Sequence, residues 1–221
     1  MTTFAEATPQ GQQIPVVHAV TNDEVVGRPD FIDVACAIMR VLGARGALHL
    51  RANRTNGSRF QSLAEGLAAA QGLTGAWLVI NDRVDIALAT GSRGAQLTSR
   101  SLTASDARRI APSLALGASV HALDEGRAAM AAGADWLVAG QVFNTASHPE
   151  TPLKGVNWLK SLVSIASVPV IAIGGVRSEH VPVLRAAGAY GVAVIRGIWD
   201  APNAERAANE YLSGYDDAGA G

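Results

Sequence analysis

The segment VPVIAIGGVR, residues 168–177, is an apolar run that stops abruptly at two adjacent glycines, Gly174 and Gly175. Consecutive apolar and β-branched residues are typical of a strand that is buried on both faces. Glycine at the end of such a strand lets bare backbone approach a ligand and adopt conformations closed to other residues. The segment therefore predicts one strand of a parallel sheet followed by a turn with a function.

Seven further runs have the same character, and stretches with helical periodicity separate them. The helical stretches include SRFQSLAEGLAAAQG, HALDEGRAAMAAG and SEHVPVLRAAG, each ending at a glycine placed as a C-cap. Eight strand–helix units in about 200 residues favour a closed (β/α)8 TIM barrel over an open doubly wound sheet. The other predicted strands are PVVHAV (15–20), ALHLR (47–51), AWLVI (76–80), GAQL (94–97), LALGAS (114–119), DWLVAG (135–140) and YGVAVI (190–195).

The composition sets the limits of the domain and of its partners. The chain has 221 residues, 48% of them apolar, and no linker divides it, so we expect a single barrel over 14–212. Residues 1–13 are predicted to be a disordered tail and 213–221 a flexible one. A net charge of −1 gives no general attraction to nucleic acid or anionic membranes, so the expected partner is a small molecule. No signal peptide or membrane span is predicted, which indicates a cytoplasmic protein.

In a TIM barrel, the active site lies at the carboxyl ends of the strands, and the loops after strands seven and eight often hold a phosphate. Gly174 and Gly175 end strand seven, and Ile195, Arg196 and Gly197 follow strand eight. The glycines would expose backbone N–H groups to an anion, and Arg196 would add a charge-assisted contact. These five residues are the predicted phosphate site, although tight turns alone would also explain the glycines.

Polar residues end most of the other strands and converge on the same face. Each has a structural alternative: Asp82 and Ser119 could cap the helices that follow them, and His49 could be a hydrogen-bonded interior residue. The long segment QVFNTASHPETPLKG at 141–155 is a candidate active-site flap. The converging residues are His18, Thr21, His49, Arg51, Asn81, Asp82, Ser119, His121, Gln141, Asn144 and Thr145.

Three segments together resemble thiamine phosphate synthase and its relative, the TenI-type thiazole tautomerase. They are NDRVDIALATG, ASVHALDEGRAAMAAGADWLVAGQVFNT and VPVIAIGGV followed by AAGAYGVAVIRGI, and the resemblance runs from about residue 16 to 198. It implies a barrel that handles a thiazole phosphate, held at the glycine turns after strands seven and eight.

The synthase branch displaces pyrophosphate from a hydroxymethylpyrimidine diphosphate and uses magnesium to neutralise the leaving group. Its Asn-Asp pair after strand three is matched by Asn81 and Asp82. Its magnesium-binding aspartate after strand four corresponds to Ser101, and its two phosphate-binding lysines correspond to Asn53 and His148. Asp82 alone leaves a magnesium diphosphate site poorly equipped.

The tautomerase branch has segments similar to HAVT (18–21), HLR (49–51) and SVHAL (119–123), and its reaction is a proton transfer that needs no metal. Its usual catalytic histidine is replaced by Gln141, which cannot titrate near neutral pH. The resemblance then leaves His148 or His49 to carry the proton, and the expected catalytic residues are Gln141, His148, His49 and Ser119. The residues expected to bind that substrate are Arg51, Asn81, Asp82 and Thr145.

Three functions follow from these comparisons of residues. The favoured hypothesis is a thiazole tautomerase, an isomerase of thiamine (vitamin B1) biosynthesis that needs no cofactor. The alternatives are a thiamine phosphate synthase, a transferase that would hold Mg²⁺ through Asp82, and a noncatalytic or regulatory thiazole-phosphate binder. The resemblance also implies a homo-oligomer, for which Trp158 and Trp199 are the exposed aromatic candidates.

Overall fold

Eight parallel strands close into a barrel in chain order in the computed structural model, which describes residues 8, 11–144 and 153–216. Each strand begins and ends within two residues of the segment that the sequence analysis predicts, so the prediction of a (β/α)8 barrel is confirmed. The strands are β1 (Val17–Val20), β2 (Gly46–Leu50), β3 (Trp77–Asn81), β4 (Gly94–Leu97), β5 (Ala115–Val120), β6 (Trp136–Ala139), β7 (Val170–Ile173) and β8 (Gly191–Val194).

Helices connect successive strands and cover the outside of the barrel. In the described part they are α1 (Asp23–Val26), α2 (Phe31–Leu42), α3 (Gly57–Thr74), α4 (Val84–Thr90), α5 (Ala104–Ile110), α6 (Leu123–Ala131), α7 (Gly155–Ile165), α8 (Val181–Ala186), α9 (Arg196–Trp199) and α10 (Ala204–Asp216). Short 3-10 turns lie at Gly43–Arg45 and Ser178–His180.

Two apolar cores account for the fully buried strands. The larger core lies between the barrel and its helices, and α2 contributes Phe31, Ile38 and Met39 to it. The smaller core fills the barrel interior, where Trp77 and Trp136 meet edge to face with ring centroids 6.4 Å apart. Because every strand is covered on both faces, continuous apolar runs rather than alternating ones identify the strands in the sequence.

The closure of the barrel places all the strand ends at one mouth. β1 pairs with β2 on one side and with β8 on the other, and Val17 lies opposite both Gly46 and Val192. All eight strands run the same way, so the loops that follow β1 to β8 surround a single opening.

The structure differs from the predicted element bounds and exposures at three places. α3 runs through Gly72, predicted as its cap, and ends at Gly75, whose φ of 76° is left-handed. α10 continues to Asp216, so a helix occupies 213–216, which the sequence analysis assigned to a flexible tail. Trp199 is buried and Trp158 half-buried, so Trp199 is not the exposed aromatic expected. No helix in 11–144 or 153–216 is long and apolar enough to cross a lipid bilayer.

Candidate active site

A cavity of about 340 Å³ opens at the barrel mouth beside the carboxyl ends of β2, β3 and β4. Its charged lining consists of three arginines against one aspartate. Arg83 is already held by Asp85 through two hydrogen bonds of 2.8 and 2.5 Å, so its charge is neutralised locally. The cavity lining is Arg51, Ala52, Asn53, Thr55, Phe60, Asn81, Asp82, Arg83 and Arg100.

Asp82 anchors the loop that follows β4. Its Oδ1 accepts hydrogen bonds from the Thr98 hydroxyl, at 2.6 Å, and from the Ser101 hydroxyl. The Ser101 hydroxyl oxygen also accepts from the Thr98 backbone N–H at 2.9 Å, which closes a compact turn. Asp82 has a φ of 61°, and α4 takes Arg83 as its N-cap residue without a side-chain bond. The alternative that Asp82 caps the following helix is therefore wrong.

Arg51 is fixed at the mouth by contacts between β1 and β2. The buried Thr21 donates its hydroxyl to the Arg51 carbonyl and accepts the Arg51 N–H, both at 2.8 Å. The guanidinium group is half-buried among the cavity residues. Burial lowers the pKa of Arg51, and the charge of Arg100 lowers it further, whereas the carboxylates of Asp82 and Asp23 act in the opposite direction.

A pair of buried histidines lies inside the barrel below this cavity. His18 Nδ1 and His49 Nε2 are 2.7 Å apart, and His18 Nε2 lies 2.8 Å from the Pro15 carbonyl oxygen. A carbonyl oxygen only accepts, so His18 donates from Nε2 and accepts the His49 Nε2–H at Nδ1. Burial lowers the pKa of His18 to about 4. Burial and His18 hold the pKa of His49 well below its usual value, so both rings are neutral near pH 7.

Further polar side chains on the inner face form a neutral, hydrogen-bonded layer. Trp136 Nε1 donates to Gln96 Oε1 and Gln96 Nε2 donates to Ser119 Oγ, each at 3.0 Å. Ser119 is thus engaged by Gln96 and does not cap α6, whose N-cap residue is Ala122. Asn81 interacts with the buried His49 through its side chain, whereas the buried oxygen Gln141 Oε1 has no hydrogen-bond partner among the described residues.

The glycines after β7 and β8 have packing reasons for their presence. Gly174 has a φ of 99°, and a Cβ there would lie 2.9 Å from Gln141 Cα. A Cβ at Gly175, whose φ is 63°, would lie 2.3 Å from the Asn144 carbonyl oxygen. A Cβ at Gly197 would meet the Tyr211 hydroxyl, which donates to the Val176 carbonyl oxygen at 3.0 Å. Close contacts within the protein therefore require all three glycines, whether or not an anion binds there.

The structure brings some of the predicted residues together and leaves others apart. Arg51, Asn81 and Asp82 line one cavity, whereas His49, Gln141 and Ser119 belong to the neutral interior layer. His121 is exposed at the mouth, with Nδ1 2.8 Å from the Gly140 carbonyl oxygen. Thr145, His148 and most of the proposed flap lie outside the described residues.

Sequence reasoning favoured a solvated surface position for Arg100 over a place at the mouth, and it did not include Gln96 among the candidate residues. Arg100 lines the cavity from the loop after β4, and Gln96 links Trp136 to Ser119 inside the barrel. Arg100 sits in an exposed loop without a motif, so charge was its only signal in the sequence. Gln96 is a polar residue in the middle of a strand buried on both faces, which is a signal that could have been used.

The chain matches the family described as thiamine monophosphate synthase over residues 17–198. It belongs to that family. Two similar proteins carry the name "Thiamine-phosphate synthase". The one from Caldivirga maquilingensis is 35% identical over 65% of this chain and 70% of its own length. The one from Pyrococcus abyssi is 38% identical over 59% of this chain and 63% of its own length. The second alignment spans less than two thirds of that relative's length. A solved structure, "Thiamine phosphate pyrophosphorylase" from Pyrococcus furiosus, superposes with a TM-score of 0.80 at 26% identity, covering 92% and 96% of the two chains.

Within the thiamine monophosphate synthase family, the tautomerase hypothesis of the sequence analysis is wrong. The relatives carry the name of the synthase, which the sequence analysis gave as an alternative. The synthase is a transferase, whereas the tautomerase is an isomerase. The interior explains the error in physical terms. His49, one of the two substitute bases, is hydrogen-bonded to His18, and burial holds its pKa well below the usual value, which makes it a weak base; Gln141 cannot titrate.

The synthase branch of the family is expected to use magnesium, and the described residues fit a magnesium diphosphate site poorly. Among the described residues that line the cavity, Asp82 supplies the one carboxylate, and its Oδ1 already accepts hydrogen bonds from two hydroxyl groups. No group of three His, Cys, Asp or Glu side chains in 11–144 and 153–216 is arranged to hold a metal ion. The guanidinium groups of Arg51 and Arg100 lie on the same cavity and would repel a cation.

Proposed function

We propose that this protein is a thiamine phosphate synthase that joins hydroxymethylpyrimidine diphosphate to a thiazole phosphate and releases pyrophosphate. The observation that carries the proposal is the cavity beside β2 to β4, where arginines outnumber the single carboxylate. A leaving diphosphate carries several negative charges, and guanidinium groups bind such oxygens through charge-assisted, bidentate hydrogen bonds. The names of the relatives support the same activity.

The chemistry of this transfer suits an interior whose described side chains are neutral near pH 7. The thiazole nitrogen forms a bond to the methylene carbon of the pyrimidine while the bond from that carbon to the diphosphate oxygen breaks. The diphosphate leaves with the electron pair, and the thiazole becomes a cation, so no proton has to move for the new bond to form. Neutral His18 and His49, with Gln96 and Ser119, supply shape and hydrogen bonds instead of an acid and a base.

In this proposal the two substrates occupy neighbouring parts of the mouth. The diphosphate lies against Arg51 at the end of β2, and the thiazole phosphate lies near the ends of β7 and β8. Backbone N–H groups around Gly174 and Gly175, with Arg196 and Gly197, remain the proposed phosphate contacts, in addition to the packing role of the glycines. Gln141 Oε1 is an acceptor without a described partner that a substrate group could use.

The proposal is tested by steady-state formation of thiamine phosphate from the two substrates, followed by oxidation of the product to a fluorescent thiochrome. We expect product from the wild-type protein and a loss of kcat/KM of about 30- to 150-fold in Arg51→Gln, since a charged hydrogen bond contributes about 2–3 kcal/mol. Arg127→Gln, an exposed position on α6 remote from the cavity lining, changes the net charge equally and should retain wild-type kinetics.

Binding of the thiazole phosphate without any product, under conditions where both substrates are present in excess and magnesium is supplied, would refute the synthase proposal. Product formation with unchanged kinetics in Arg51→Gln would leave the activity standing and remove Arg51 from the diphosphate site.

A further inference from the structure

Arg51 and Arg100 bring two positive charges to the lining of one cavity. Neither Arg51 nor Arg100 makes a salt bridge within 8, 11–144 and 153–216, although seven other arginines there do. Like charges that line one cavity repel each other, and the pKa of Arg51 is lowered by burial and by Arg100. Such a pair is stabilised when an anion enters the cavity.

Arg100 is held in this position by two separate contacts. Its backbone lies in the turn that Thr98 and Ser101 form on Asp82, and its N–H donates to the Thr98 hydroxyl at 3.3 Å. Its Nη2 donates to Asn53 Oδ1 at 3.1 Å.

The loop after β2 that carries Asn53 is fixed as well. Asp23 accepts the backbone N–H of Asn53 at 3.2 Å and that of Arg54 at 2.8 Å. The exposed side chain of Arg100 is thus oriented from its own loop and from the neighbouring one.

We propose that Arg100 is a diphosphate-binding residue, that it forms a clamp with Arg51, and that this clamp binds the diphosphate group directly, without magnesium. The proposal rests on the proposed synthase function for the identity of the ligand. In this proposal Asp82 does not bind magnesium. Its Oδ1 accepts the Thr98 and Ser101 hydroxyl hydrogen bonds and so holds the loop that carries Arg100. Two planar guanidinium groups can each bind two oxygens, which suits a diphosphate better than a single phosphate.

The test is calorimetric titration of the full chain with inorganic pyrophosphate, once in EDTA and once with Mg²⁺. The variants are Arg100→Gln and, as a matched control for charge, Arg127→Gln on α6. We expect the wild-type protein to bind pyrophosphate in EDTA, Arg100→Gln to bind it about tenfold or more weakly, and Arg127→Gln to bind like the wild type. Inorganic phosphate, titrated in the same way, should bind more weakly than pyrophosphate.

Three results would overturn the inference: binding that needs Mg²⁺, equal binding by Arg100→Gln and Arg127→Gln, or no binding of pyrophosphate in either buffer. Phosphate binding as tight as pyrophosphate binding would reduce the cavity to a general anion site and would also count against the clamp. The outcome is separable from the proposed function. Turnover with wild-type kinetics in Arg100→Gln would refute only the proposal that Arg100 binds the diphosphate. Pyrophosphate binding that depends on Arg100, without turnover of the two substrates, would refute only the proposed synthase function.

Discussion

Acid should destabilise this protein through its buried histidine pair before its carboxylates titrate. The pKa of His18 is about 4 in the folded protein and about 6.5 in an unfolded chain. Between those values the unfolded chain binds a proton that the folded protein does not, so lowering the pH favours unfolding. Above about pH 6.5 neither state binds the proton, and the contribution of His18 no longer changes.

The size of the effect follows from the two values. At about 1.4 kcal/mol for each pH unit in the window, His18 alone removes about 2.5 kcal/mol of unfolding free energy between pH 7.5 and 4.5. His49 acts in the same direction, because its pKa is also lowered by burial and by His18. Urea unfolding followed by circular dichroism at pH 7.5, 6.5, 5.5 and 4.5 measures the sum.

Two variants separate the buried pair from the rest of the protein. His18→Gln removes one titrating ring and should flatten the dependence of stability on pH across this window. His121→Gln, at an exposed position, should keep the wild-type slope. A fall of less than about 1 kcal/mol between pH 7.5 and 4.5, or an unchanged slope in His18→Gln, would refute the reasoning from burial.

Substitutions at three further positions, Gly174, Asp82 and Tyr211, are tested by urea unfolding at pH 7.5. Gly174→Ala should lower the free energy of unfolding by about 1–3 kcal/mol, because φ is 99° and the new Cβ would lie 2.9 Å from Gln141 Cα. In the control Gly72→Ala, inside α3, the new Cβ would have nothing within 4 Å, so the free energy of unfolding should rise by about 0.5–1 kcal/mol. Equal effects of the two substitutions would contradict the packing argument. Asp82→Asn should lower the free energy of unfolding by about 1 kcal/mol less than Asp82→Ala, because asparagine tolerates the φ of 61° and its side-chain oxygen still accepts the hydroxyl hydrogen bonds. Identical losses would contradict the role of Asp82 in holding the loop after β4. Tyr211→Phe should cost about 1 kcal/mol through the lost bond to the carbonyl oxygen after β7, and an unchanged midpoint would contradict that role.

The sequence predicts the barrel well because its signal is repetitive and local. Strands buried on both faces produce continuous apolar runs, and these eight runs alternate with helical periodicity. The C-cap at Gly72 fails because a glycine inside α3 is tolerated, and the left-handed residue that ends the helix is Gly75.

The site is predicted less well because its contacts cross between strands. The His18–His49 bond exists only because β1 and β2 pair with Val20 opposite His49, a register that the sequence does not specify. Asp82 looks like a helix cap from its neighbours in the chain, and its real partners are Thr98 and Ser101 on the next loop. The rule that a barrel keeps its site at the carboxyl ends of its strands gathered the polar residues that follow them, and the tautomerase prediction then assigned proton transfer to His148 or His49, of which His49 is buried with a lowered pKa.

The most direct test of the central claim is the stoichiometry of product formation in one reaction. The wild-type protein is incubated with hydroxymethylpyrimidine diphosphate and thiazole phosphate, and thiamine phosphate and pyrophosphate are both quantified by mass spectrometry and an enzymatic pyrophosphate assay. The account predicts that the two products appear in equal amounts and that neither appears when one substrate is omitted. Pyrophosphate released without thiamine phosphate, or no change in either substrate, would contradict the assignment as a thiamine phosphate synthase.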